Sequence, residues 1–169
     1  KIDLTNPELL ETHLNSIFLA KTNLNQLNNS LVDLMGRDEK GEFPLLPDVQ
    51  EYLTLDKYTK DEIKRIFERV TEDIKASFPP GLTWLNAEWI TRTINSAPIS
   101  FDRSLDRWRK LYSAIQSQLS KANKIIESGL YVGTSDEMKE AKRNVAQAIR
   151  QRDLLENKIS YSSLSEFYP

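Results

Sequence analysis

Large or apolar side chains recur along residues 100–129 at alternating intervals of four and three positions. The series runs Phe101, Leu105, Trp108, Tyr112, Ile115, Leu119, Ala122 and Ile126. A heptad spacing of this kind places all members on one face of an α-helix, where they need a partner surface. We therefore predict a single helix of about 28 residues, about 40 Å long at 1.5 Å per residue.

A partner for this face follows directly in the chain. Thr134-Ser135-Asp136-Glu137 has the form of a capping box, which predicts a helix from there to about Asn157. The same alternation continues through Met138, Ala141, Val145, Ala148, Arg152 and Leu155. Two consecutive helices with matching faces and a short connection favour an antiparallel hairpin.

Shorter helices are predicted upstream, over residues 7–21, 31–35, 48–53 and 59–77, and from about Trp84 or Asn86 to Asn95. Proline after Thr5-Asn6 marks the first start, Gly36 the second stop, and the capping box at Thr59 the fourth start. The fourth helix carries an apolar stripe of Ile63, Ile66, Phe67, Val70 and Ile74. Pro98 is expected to end the last of them. The loop over residues 37–47 should be anchored by Phe43, Leu45 and Leu46.

These patterns predict an all-α fold, a helical bundle of about six to seven helices built around a long antiparallel C-terminal helical hairpin. Residues 1–169 are expected to form a single all-helical domain. Within it, 1–97 would supply shorter helices that pack on the hairpin, 98–158 the hairpin, and 159–169 an irregular tail. Because the chain opens on Lys1 and stops at Pro169, we expect it to be excised from a larger protein.

The amino-acid composition limits the kinds of functional site that the chain can contain. The chain has no cysteine, which excludes disulfides, thiolate metal sites and thiol nucleophiles. Its only histidine, His13, is interpreted as a packing or surface residue, because most nucleophile-and-base pairs need a further partner. No phosphate-binding loop motif and no apolar run of membrane-spanning length occurs. We predict no catalytic, cofactor-binding or metal-binding residue.

Charge is distributed unevenly between the halves. The net charge is −2 overall, but residues 1–97 carry 11 basic and 16 acidic side chains, whereas residues 98–169 carry 12 and 9. Basic residues in the second half lie beside Trp108 and Tyr112 or on the last helix. They can serve as a solvated face with internal ion pairs, or as a surface that follows nucleic-acid phosphates. The candidate nucleic-acid-binding residues are Arg103, Arg107, Arg109, Lys110, Arg143 and Arg150.

Three stretches resemble one region of very large bacterial superfamily II helicases of the DISARM phage-defence type. They are PELLETHLNSIFLAKTNL at 7–24, SFDRSLDRWRKLY at 100–112 and SEFYP at the end, with FPLLPDV at 43–49 between them. In that family the region follows the second RecA-like lobe. The motifs that handle ATP fall outside this piece, so ATP and magnesium are implied for the parent only.

The resemblance implies a bacterial, cytoplasmic parent that is a DNA-binding, ATP- and nucleotide-binding hydrolase. The chain itself would be a non-catalytic helical accessory domain that braces the motor or contributes to the nucleic-acid path. Its partners would be the remaining domains of the parent and DNA, with no membrane and no small-molecule substrate. The alternative is a protein–protein interaction or scaffold module that uses the helical hairpin.

Overall fold

The computed structural model describes residues 5–24, 31–36, 41–128 and 136–157, and within these ranges the chain is helical with no β-strand. The predicted all-α fold class is confirmed. The α-helices are α1 (Pro7–Lys21), α2 (Pro47–Tyr52), α3 (Lys57–Ala76), α4 (Ala87–Ser104), α5 (Asp106–Glu127) and α6 (Asp136–Asn157), with a short 3₁₀ helix at Leu31–Leu34. Predictions for 37–40, 129–135 and the tail lie outside the described residues.

The described residues form two compact units. One contains 5–24 and 46–103, and the other contains 31–36, 41–45, 104–128 and 136–157. Each unit is therefore assembled from separated stretches of chain, because the segment around Phe43 belongs with α5 and α6.

In the first unit, α1 begins as predicted, with Asn6 as its N-cap: the Asn6 side chain accepts a hydrogen bond from the Glu8 amide at 2.9 Å. The Lys21 ammonium pairs with Glu62 of α3 at 2.7 Å. The expected capping role of Thr59 is wrong, because α3 begins at Lys57 and Asp56 is its N-cap. Asp56 accepts a hydrogen bond from the Thr59 amide at 2.7 Å, and the bonds from Thr59 lower the pKa of the Asp56 carboxyl.

The apolar stripe predicted for α3 is only partly correct. Ile63 and Phe67 are fully buried, but Val70 is 49% exposed and Thr71 is buried in its stead. The Thr71 hydroxyl donates to the Phe67 carbonyl at 2.8 Å, so it has no unsatisfied donor in the core. A buried threonine is tolerated here because the helix backbone itself supplies the acceptor.

The long helix predicted over 100–129 is wrong in its extent. α4 passes through Pro98 and continues to Ser104, and a break at Leu105 separates it from α5. Proline removes one backbone hydrogen bond, yet the buried face of Ile94, Ala97 and Phe101 continues across it. Burial on both sides of Pro98 outweighs the lost bond. The predicted apolar series from Phe101 to Ala122 is nevertheless buried throughout.

In the second unit, α5 and α6 pack along their lengths, with Ile115, Leu119 and Ala148 in a common core cluster. The Trp108 indole near the start of α5 donates to the Leu155 carbonyl near the end of α6 at 3.4 Å. At the other ends of the helices, Ala122 and Ala141 line one groove. The two helices are therefore antiparallel.

The segment around Phe43 completes this unit. Met35 and Leu45 form an isolated antiparallel bridge, and the Gly36 amide donates to the Pro44 carbonyl at 2.8 Å. The predicted helix therefore stops just before Gly36, at Leu34, and Met35, which was expected to be helical, belongs to the bridge. Phe43 and Leu45 are buried as predicted, whereas Leu46, at 37% exposed, does not anchor the loop.

Candidate nucleic-acid interface

The aromatic side chains beside the predicted basic cluster are packed into the core of the second unit. The Trp108 and Tyr112 rings stack with centroids 4.7 Å apart and planes 12° apart, and Phe43 meets both of them edge-on. Trp108 is 2% exposed and Tyr112 is 1% exposed. Rings buried in this way cannot stack on bases, so these aromatics supply stability and not a nucleic-acid platform.

Arg109 is turned into this core. Its Nε donates to the Phe43 carbonyl at 2.9 Å, and its guanidinium pairs with Asp106 at 2.8 Å. Phe43 has a φ of 51°, in the left-handed region that side chains rarely adopt. The hydrogen bond from Arg109 and the ring contacts hold this conformation. Of the six candidate basic residues, Arg109 is the one that forms an ion pair with another residue of the described ranges.

A similar network lies at the end of α6. The Tyr112 hydroxyl donates to Glu156 Oε1 at 2.8 Å, and Arg152 pairs with Asp153 at 3.3 Å and approaches Glu156 at 3.8 Å. Arg152 occupies the inner face of α6, as its place in the apolar series predicts. Its positive charge is balanced by neighbouring carboxylates, so it is not offered to a partner.

Arg143 and Arg150 lie on the outer face of α6. Each is two residues beyond a buried alanine (Ala141 or Ala148), which places it about 200° round the helix axis from the face that meets α5. Both arginines are exposed and make no hydrogen bond or ion pair with another residue in the described ranges. Lys139 is exposed on the same face, four residues before Arg143. We call Lys139, Arg143 and Arg150 the α6 ridge.

The remaining candidates are also exposed but lie elsewhere. Lys110 is two residues beyond Trp108, which places it on the side of α5 that faces away from α6, at the opposite edge of the pair from the α6 ridge. Arg107 is exposed beside it, and Arg103 is exposed near the end of α4 in the first unit. Within the second unit, the structure therefore brings Arg143 and Arg150 together on one face of α6 and places Arg107 and Lys110 on α5.

A groove of about 450 Å³ runs between α5 and α6. Ala122 and Ala141 lie at its base, where their small side chains leave space, and Ile125 is 38% exposed at its side. Its polar lining consists of Gln118, Lys121, Glu137, Glu140, Asn144, Gln147 and Gln151. Four of these seven are amide side chains, which can both donate and accept hydrogen bonds to a ligand in the groove.

One basic surface was missed by the sequence reasoning. Lys57, Lys60 and Lys64 recur on α3 at intervals of three and four, and they line a cavity with Asn95 of α4. The spacing is visible in the sequence and predicts a shared face. It was overlooked because the half of the chain that contains it carries a net negative charge.

The described residues also bear on metal binding and on the role of His13. No group of three or more His, Asp or Glu side chains within these ranges could hold a metal ion. His13 is exposed, and its ring lies 6.3 Å from that of Phe67 in a tilted contact, which agrees with a surface packing role. Within the described ranges, every helix is too short or too polar to cross a bilayer.

Comparison of the chain with protein-family models, with curated proteins and with solved structures gave no match. Of the surfaces described above, the α6 ridge is the one that joins Arg143 and Arg150 along one face of a helix.

Proposed function

We propose that this chain is a non-catalytic helical accessory domain of a large ATP-dependent helicase-like protein and contributes to its nucleic-acid path through the α6 ridge. The resemblance of three sequence stretches supports the helicase context. The cytoplasmic, bacterial phage-defence setting and the parent's use of ATP and magnesium are part of the same proposal. So is an arrangement in which shorter helices pack on the α5–α6 pair as one bundle that braces the motor.

The observation that carries the nucleic-acid part is the pair Arg143 and Arg150. They are seven residues apart, so their Cα atoms are separated by about 10 Å along one line of the helix at 1.5 Å per residue. Neither guanidinium has a carboxylate partner within the described part of the chain. Two arginines held on a rigid helix and free of internal pairing suit contact with successive backbone phosphates.

The contact would read the backbone and not the bases. In the described ranges, the ridge has no aromatic side chain of its own, and the nearest candidates, Trp108 and Tyr112, are buried. Base stacking is therefore absent from the proposed contact, and binding should depend little on sequence.

The test is fluorescence anisotropy of the 169-residue chain with labelled duplex and single-stranded DNA over a series of salt concentrations. The double variant R143Q/R150Q should bind about tenfold more weakly at low salt and lower the slope of log K against log salt by about two. The matched control, R107Q/K110Q, removes two cations from the other edge of the α5–α6 pair. Equal affinity of the wild type and R143Q/R150Q at low salt would refute the ridge as a DNA contact.

The α5–α6 groove favours a second candidate function, that of a protein-interaction module. Its alanine base and exposed Ile125 could receive a helix from a second copy of the chain. Sedimentation velocity over a range of protein concentrations tests this. Self-association that is abolished in I125D would support it, and a monomer at all concentrations would refute self-assembly through the groove.

A further inference from the structure

The groove between α3 and α4 in the first unit has the composition of an anion site. It consists of two adjoining cavities of about 220 and 710 Å³, which share Lys64, Thr91 and Asn95 in their linings. Lys57 and Lys60 line the smaller cavity, and Arg92 lines the larger. Asp61 and Glu88 are the acidic members, so basic groups outnumber acidic ones by four to two.

Among the described residues, the lysines of this groove form no ion pair with a carboxylate. Lys60 and Lys64 are half-buried, and the only hydrogen bond from either ammonium to a described residue joins Lys60 to the neutral side-chain oxygen of Asn95 at 3.1 Å. Lys21 in the same unit is different, because its charge is balanced by Glu62 at 2.7 Å. An anion in the groove would supply a counter-charge that these ammonium groups lack among the described residues.

The polar side chains of α4 define which groups can donate to a ligand. The Thr91 hydroxyl donates to the Ala87 carbonyl at 2.8 Å, and the Ser96 hydroxyl donates to the Thr93 carbonyl at 3.1 Å. Asn95 accepts from Lys60 through Oδ1, which leaves its NH₂ group as a donor. The available donors are thus this amide and the cations, a set that matches oxygens of an anion.

The shape of the groove indicates more than one anionic group. Lys57, Lys60 and Lys64 extend over seven residues of α3, or about 10 Å along the helix at 1.5 Å per residue. No aromatic side chain lines either cavity, so a base or other planar ring would have nothing to stack on. The lining is complementary to a chain of linked phosphates and not to a single carboxylate.

From this charge complementarity we infer that the α3–α4 groove binds linked phosphate groups, with Lys60 and Lys64 as its central ligands. The site lies in the first unit and shares no residue with the α6 ridge. The phosphates can belong to a nucleic-acid backbone or to a free polyphosphate, which present the same chemistry to the groove.

The test is an NMR titration of the ¹⁵N-labelled 169-residue chain with inorganic pyrophosphate at low salt. Saturable amide shifts are expected at Lys64, Thr91 and Asn95. The variant K60Q/K64Q should lose at least about tenfold in affinity, since two charge-assisted hydrogen bonds are removed. The matched control is R69Q, which removes an exposed cation from the same helix, about 140° round the axis from Lys64, and should change the affinity less than twofold.

Two results would overturn the inference: shifts that do not saturate, or equal affinities of K60Q/K64Q and R69Q. Thermal unfolding of both variants shows that they are folded.

The source of the phosphates is then distinguished by adding duplex DNA to the pyrophosphate-bound R143Q/R150Q variant. Displacement of pyrophosphate identifies a nucleic-acid backbone as the ligand, and retention identifies a free polyphosphate. Because this variant lacks the arginines of the α6 ridge, failure of the ridge and failure of the groove are seen separately.

Discussion

Replacement of Trp108 by alanine tests the aromatic core of the second unit. A buried tryptophan removes about 200 Å² from water, which corresponds to about 5 kcal/mol at 25 cal/mol per Å². This figure is an upper value, because the unfolded chain already buries part of the ring and alanine retains the Cβ. Trp108→Ala also leaves a cavity beside Tyr112 and Phe43, and large-to-small changes of this kind cost about 3–5 kcal/mol.

The indole N–H adds a smaller contribution. It donates to the Leu155 carbonyl, one of the last four carbonyls of α6, which have no partner within the helix. Trp108→Phe removes this bond but retains a ring, and should cost about 1–2 kcal/mol. The ordering of the two variants therefore separates ring packing from hydrogen bonding.

Urea unfolding followed by circular dichroism at 222 nm gives both values, since this signal does not depend on the tryptophan removed. Trp84→Ala in the first unit is the comparison, because that ring is half-buried and should cost less. A loss below about 1 kcal/mol for Trp108→Ala would refute the packing described here. It would also restore the indole as a surface on which a base could stack.

Two further substitutions test the first unit. Asn15 is 7% exposed and its side-chain oxygen has no hydrogen-bond partner among the described residues, so Asn15→Leu should raise the free energy of unfolding by about 1 kcal/mol; a loss of stability in urea would show that the oxygen is satisfied in solution. Asp56→Ala should lower the melting temperature at pH 7, because the N-cap of α3 is lost. The pKa of Asp56 is depressed in the folded chain, so its contribution is present above the unfolded pKa and is lost as the pH falls through the folded one. The difference in melting temperature between wild type and Asp56→Ala should therefore shrink in acid, and a difference that is the same at pH 7 and pH 2.5 would contradict this role.

Helical periodicity predicted which faces are buried, because the 3–4 alternation records the side that meets the core. The residues at which helices start, stop or break were predicted less accurately from the sequence. The path through Pro98 and the break at Leu105 reflect a balance between local backbone preference and burial. Of these two influences, only burial depends on residues distant in the sequence. Phe43 shows the same limit, since a left-handed phenylalanine is stabilised by α5, which lies more than 60 residues away in the chain.

For the candidate surfaces, sequence revealed charge but not how each charge is used. Arg109 and Arg143 are the same residue type, yet the Arg109 guanidinium is hydrogen-bonded to the Phe43 carbonyl and Arg143 is exposed. The lysines of the α3–α4 groove show the converse. Their spacing is visible in the sequence, but the sequence does not show that Lys60 bonds to the neutral Asn95 or that these lysines form no ion pair within the described ranges, because both depend on how α3 and α4 are placed.

The interleaved assembly of the two units has a consequence for folding order. α5 and α6 are close in sequence and can pair early, since local contacts close small loops. The contacts of Phe43 with Trp108 and Tyr112 join positions 65 and 69 residues apart, so they should form later. During synthesis the segment around Phe43 is made before α5, so its contacts with Trp108 and Tyr112 cannot form until α5 has been made. A truncated chain that starts at Ser104 would keep α5 and α6. It would lose the Phe43 ring, which contacts Trp108 and Tyr112, and the Phe43 carbonyl, which accepts a hydrogen bond from Arg109.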